Sequence, residues 1–134
     1  MAKSSKRQIA IKTVLILIVL WGLVFGIPGL LFTHSMMESF MPDVPFNNTV
    51  DSFVKGISMA MVTWAIAAII ALRNLQNRAL LQAIIAGWGL FSLEGLFSDL
   101  IIMKAGASVV AIDGVMFILA LALLAFYPWG QKSV

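Results

Sequence analysis

Two carboxylic acids, Glu94 and Asp113, stand inside runs of otherwise apolar residues. A carboxyl held out of water can carry a proton, bind a cation or pair with a basic side chain, and each of these marks a site in a membrane protein. Three further charged residues fall close enough in the pattern to join them: Lys55, Asp99 and Lys104. If Lys55 or Lys104 pairs with Glu94 or Asp113, the cluster is an ion pair that holds helices in register. If neither does, the same residues make a proton or cation site, or neutral acids that only hydrogen-bond. The sequence leaves all three open.

What is missing narrows the chemistry further. The chain has one histidine and no cysteine, so a histidine-ligated haem pair, a thiolate metal site or a Ser-His-Asp triad cannot be assembled within it. His34 and Glu38 share a helical face at i, i+4, but the methionines around them and their surface position favour a solvated pair, and no metal site is assigned. No phosphate-binding glycine loop or dinucleotide fingerprint is present. The net charge of +3 and pI near 9.6 come from basic residues scattered at the ends of apolar runs. That pattern speaks against a nucleic-acid surface and for membrane orientation. No catalytic residue and no intrinsic cofactor is assigned; enzyme chemistry would have to be proton transfer by carboxylates.

The elements that position these residues follow from composition. Of 134 residues, 61% are hydrophobic and 11% charged, with a mean hydropathy of +1.02, whereas about a quarter of a soluble domain is charged. The chain therefore reads as an integral membrane protein. Apolar runs near the ~20 residues that cross a bilayer occupy 13–32, 53–72, 79–103 and 109–127. Each must be helical, because lipid offers the backbone no partner outside its own segment. Connections 73–78 and 104–108 are too short for anything but turns between antiparallel neighbours. The expected fold is all-α: an up-down-up-down four-helix bundle forming one transmembrane domain over residues 1–134.

In the longer connection, Met36, Met37, Phe40 and Met41 recur at helical spacing before Pro42, Asp43 and Pro45 enforce extended chain. A short interfacial helix capping the bundle is expected there. Orientation follows from the basic residues. Lys3, Lys6, Arg7, Lys12, Arg73, Arg78 and Lys132 fall on one side and only Lys55 and Lys104 on the other, which places both termini in the cytoplasm. The basic start runs into a long apolar stretch without a small-x-small cleavage site, so it reads as an uncleaved anchor in an inner or plasma membrane. All six acidic residues then lie toward the outer side. Asn47-Asn48-Thr49 has the form of a glycosylation sequon with no other eukaryotic cue beside it.

Depth brings the polar residues together. At about 1.5 Å per residue, Glu94 lies about 8 Å and Asp113 about 6 Å beneath the outer edge of a ~30 Å hydrocarbon core. Trp21, Trp64 and Trp88 fall near mid-bilayer instead of the interface that tryptophan favours. They are either bulk in the core or against lipid, or the walls of an apolar cavity beneath the carboxyls, with Thr63 or Ser92 as partners for the indole N–H groups. Such a cavity suits a bound lipid, quinone or pigment. On the first span, Gly22 and Gly26 permit close approach of another helix, within the bundle or in a partner subunit, and Pro28 should kink the helix.

With its basic N-terminus, its glycine- and proline-bearing first span, the arginine-bearing turn from Arg73 to Arg78 and a glycine-rich third span ending at Asp99, the chain resembles the small four-span bacterial membrane proteins of the DoxX-like type. The resemblance is one of architecture over most of the chain. It implies an inner-membrane protein, in some cases an accessory subunit of a quinone-linked oxidoreductase, and carries over no site residue. Small multidrug exporters match in size but place an essential glutamate in span one, where this chain has no acid. The polar and aromatic motifs of fluoride channels are not found. Three functions remain. The leading expectation is a non-catalytic accessory or structural subunit of a larger membrane complex, linked to quinone or electron transfer. The second is a small oligomeric transporter or channel using Glu94 and Asp113 as a proton or cation site. The third is a membrane binding protein, or an enzyme loosely like the four-span sterol-isomerase type, for an apolar ligand. Expected partners are membrane lipid and either other subunits or further copies of the chain, without nucleic acid.

Overall fold

Proline and asparagine punctuate the chain, and the helices between them are set by where backbone groups find partners. The computed structural model describes residues 2–102 and 105–129; Met103, Lys104 and Lys132 lie outside them. Helix α1 spans Ala2–Leu31 and α2 Thr33–Phe40, followed by α3 (Asn48–Arg73) and α4 (Arg78–Phe97). A single π-helical turn over Ser98–Ile102 extends α4, and α5 spans Ala107–Phe126. No strand occurs among the described residues.

The caps explain these bounds. Asn47 accepts a hydrogen bond from the Val50 N–H at 2.9 Å and Asn77 one from the Leu80 N–H at 3.1 Å. Each satisfies one of the orphan donors at a helix start. Asn47, the first residue of the sequon, is thus the N-cap of α3. Between α3 and α4, Asn74 Oδ1 accepts from the Gln76 N–H at 3.1 Å and closes the tight turn. Pro28 does not end α1, which continues to Leu31. Phe32 breaks the helix with φ −130° and ψ 45°, and the buried Thr33 hydroxyl donates to the Gly29 carbonyl at 2.8 Å, tying α2 to the end of α1.

Four of these helices are long and apolar enough to cross a membrane: Lys6–Leu31, Asn48–Arg73, Arg78–Ile101 and Ala107–Phe126. The chain is a multi-pass membrane protein with up-down-up-down topology, and the short connection helix is α2. Helix α1 packs on α3 and α5, and α4 on α5 and α3, so the four long helices form a closed ring. Trp88, Leu15, Ile18, Leu81, Ile84, Met116 and Leu123 are fully buried at its centre. Leu20, Val24, Ile66, Ile70, Leu90, Ile118 and Leu121 are exposed on its rim, where lipid solvates them.

Because lipid tails are as apolar as leucine, helices in a bilayer associate through close packing more than through apolar burial. The α1–α3 seam shows how. On α3 the buried positions are Ser58, Met61, Ala65, Ala68 and Ala71, nearly all small. Leu15 and Ile18 fill the seam at one end. At the other, Gly22 and Gly26 let the backbones touch. A Cβ on Gly22 would lie 2.7 Å from the Met61 carbonyl oxygen and 2.9 Å from Ala65 Cβ; one on Gly26 would lie 2.8 Å from Val62 Cγ2. These glycines therefore serve contact within the bundle. Gly22→Leu should destabilise the fold by about 1–3 kcal/mol through forced helix separation. Gly56, with nothing near a built Cβ, should tolerate alanine with no loss. Thermal unfolding of both variants in detergent measures the contrast, and equal Tm values for the two would refute the seam.

Candidate functional site

Four residues from α4, its π turn and α5 build the polar centre. Gly95 has no side chain, and the Asp113 carboxyl occupies the space that a Cβ there would claim. That close approach lays α5 against α4 and brings Asp113 within hydrogen-bonding range of Asp99 and within Coulombic range of Glu94. Asp99 stands in the π turn, 4% exposed, and its Oδ2 has no hydrogen-bond partner. The turn is closed by the Asp99 carbonyl, which accepts from the Ala105 N–H at 2.8 Å. Short π segments of this kind recur at functional sites. Glu94 Oε1 accepts from the Ser98 hydroxyl at 2.9 Å.

These groups form one wall of a cavity of about 280 Å³. Met36, Met37 and Phe40 of α2 and Met41 just after it cover the cavity, and Phe53, Val54, Ile57, Ser58 and Met61 of α3 line it as well. Phe25 and Gly29 of α1, Val44 of the connection, Val50 of α3 and Val109 and Ile112 of α5 complete it. The cavity is apolar on three sides and acidic on one. Of all its lining residues only Phe53 and Glu94 are exposed. One belongs to α3 and the other to α4, so the mouth opens sideways between those helices. Trp64 marks where the gap closes, its indole lying over Gly87 of α4.

The expected site residues divide accordingly. Glu94, Asp99 and Asp113 come together, with Asp99 inside the cluster and not merely above it. Lys55 does not join them. Its ammonium pairs with Asp51 one turn away on α3, at 2.8 Å, and it borders a separate shallow groove with His34 and Phe46. Lys104 lies outside the described residues. His34 and Glu38 form an exposed pair at 3.4 Å. Among the described residues no group of three or more His, Cys, Asp or Glu side chains is arranged to hold a metal ion.

The aromatic wall is also different from the expected one. Trp21, Trp64, Trp88, Thr63 and Ser92 are all absent from the cavity lining. Trp88 is wholly buried and donates its indole N–H to the Met116 carbonyl of α5 at 2.9 Å, a cross-helix bond in the bundle core. Trp21 stacks near Phe25, ring centroids 4.8 Å apart, and its N–H has no partner. Thr63 and Ser92 turn their hydroxyls back to the Met59 and Gly89 carbonyls. Neither meets an indole, because a hydroxyl in an apolar helix satisfies itself most cheaply on its own preceding turn. The cavity is walled instead by phenylalanine and methionine near the α2 end. Their helical spacing in α2 was the available signal; Ile57, Ser58 and the π turn carried none.

Comparison with protein-family models, curated proteins and solved structures yields no match.

Proposed function

We propose that this chain is a non-catalytic binding protein of an inner or plasma membrane, holding the polar end of a lipid-like molecule in the cavity under α2. The cavity itself carries the reading: apolar surface from four helices, one wall of carboxyls, and a mouth facing the bilayer. Its volume, about 280 Å³, lies just below the ~300–1,000 Å³ that encloses a drug-sized ligand. It fits a head group and the first part of a chain, the remainder trailing into lipid. Methionine, unbranched and polarisable, suits the covering of such a site because it repacks around different shapes.

In this reading both termini are cytoplasmic and α2 lies at the outer surface, as the lysine and arginine distribution favours. The chain has no cysteine, so single substitutions report orientation directly. Ser39→Cys should react with a membrane-impermeant maleimide in intact cells, and Gln76→Cys only after permeabilisation. The reverse pattern would place α2 inside.

One observation favours a second reading, an accessory subunit of a larger complex. Glu94 is exposed on α4 between Leu90, Leu93 and Phe97, which are exposed as well. An ionisable group on a lipid-facing surface is costly, and a neighbouring subunit packed there would shield it. Purification in mild detergent followed by native mass spectrometry separates the two. The binding reading expects the chain to carry a lipid-like adduct, lost in an Ile57→Trp variant that fills the cavity while retaining its Tm. Co-migrating partner chains with no adduct would transfer the conclusion to the subunit reading.

A further inference from the structure

Among the described residues, the acidic wall faces apolar surface without a counter-charge. Asp99 is 96% buried, lines the cavity and keeps an oxygen with no donor. Asp113 lies within hydrogen-bonding range of it and Glu94 guards the mouth. Among the described residues no lysine, arginine or histidine lines the space, and Lys55 is engaged with Asp51. Buried carboxyls so placed must either hold a proton or take positive charge from elsewhere. A bare metal ion does not suit, since the three acids are not arranged as a ligand set. An organic cation does. An ammonium head offers up to three donors to spread-out acceptors, and the other walls carry Phe25, Phe40 and Phe53, aromatic residues whose rings attract a cation and not an anion.

We propose that the cavity binds a lipophilic amine, its ammonium against Asp99 and Asp113, entering from the outer leaflet between α3 and α4 past Phe53 and Glu94. This rests on the amphiphile-binding reading above and adds the charge of the head group and the route. A fatty acid or phosphate head would bring negative charge to three carboxyls and is disfavoured. A neutral alcohol can donate only one hydrogen bond and leaves the cluster uncompensated.

Equilibrium dialysis tests it with full-length protein in phosphatidylcholine nanodiscs, empty nanodiscs being subtracted. The probes are dodecylamine, dodecanol and dodecanoate, equal in chain and different in head. Saturable dodecylamine binding is expected, with dodecanol and dodecanoate about tenfold weaker or more, and Asp99→Asn should weaken the amine by about the same factor. Glu94→Gln should slow amine uptake more than it changes the amount bound at equilibrium. Equal binding of amine and alcohol in the unmodified protein overturns the cationic assignment and leaves the amphiphile cavity standing. Saturable binding of none of the three removes both. Amine binding that appears only in Lys104→Met would mean that the chain supplies its own cation, and also overturns the proposal. The head-group comparison on the unmodified protein decides the matter even if Asp99→Asn fails to fold.

Discussion

The approach of the Asp113 carboxyl to the bare backbone at Gly95 sets the geometry of the α2 half of the bundle. Any side chain at that position would have to displace the Asp113 carboxyl from where it lies. With glycine there, an acid from one helix is delivered to the acid of the next, and Asp99 is buried with it. In water such crowding would be relieved by solvent. In hydrocarbon it must be relieved by a proton, a cation or a partner side chain, because an uncompensated buried charge is among the most costly features a fold can hold. The cavity beside the cluster is where that compensation can come from.

The two halves of the bundle are built differently. Away from α2, Ala68 and Ala71 of α3 share the core with the large side chains of α1, and the Trp88 indole is bonded to the α5 backbone at Met116. This half is closed. Toward α2, glycines replace the large residues on α1, the Trp64 ring props α3 against α4 at Gly87, and beyond it those two helices part around the cavity. Methionines and Phe40 cover the opening. A close-packed base under a methionine cover confines adaptability to the cover, since unbranched, polarisable methionine repacks more readily than a dense core.

Much of the architecture was legible in the sequence because membrane constraints are strong. Four long apolar runs with short polar turns admit little but an antiparallel bundle, and the structure places helices at all four runs. The methionine spacing before Pro42 marked α2. At the site, the shared depth of Glu94 and Asp113 was readable from counting residues along helices, and their meeting through Gly95 was not, since it depends on rotation of α5 about its axis. The three tryptophans had equal depth too, yet they went to separate places. Depth is a one-dimensional coordinate; Trp88 points at α5, Trp64 at α4 and Trp21 at Phe25. Lys55 illustrates a different limit, because an acid one turn away on its own helix competes better than one across the bundle.

Photo-crosslinking with an alkyl diazirine amphiphile, applied to the protein in bilayers and mapped by peptide mass spectrometry, tests most directly whether the space beside the carboxyls opens to the membrane. Adducts are expected on Ser58, Met61 and Asp99, buried residues of the cavity lining, alongside those on the lipid-facing rim. Adducts confined to rim residues such as Ile66, Leu90 and Ile118, with none on the cavity lining, would contradict it.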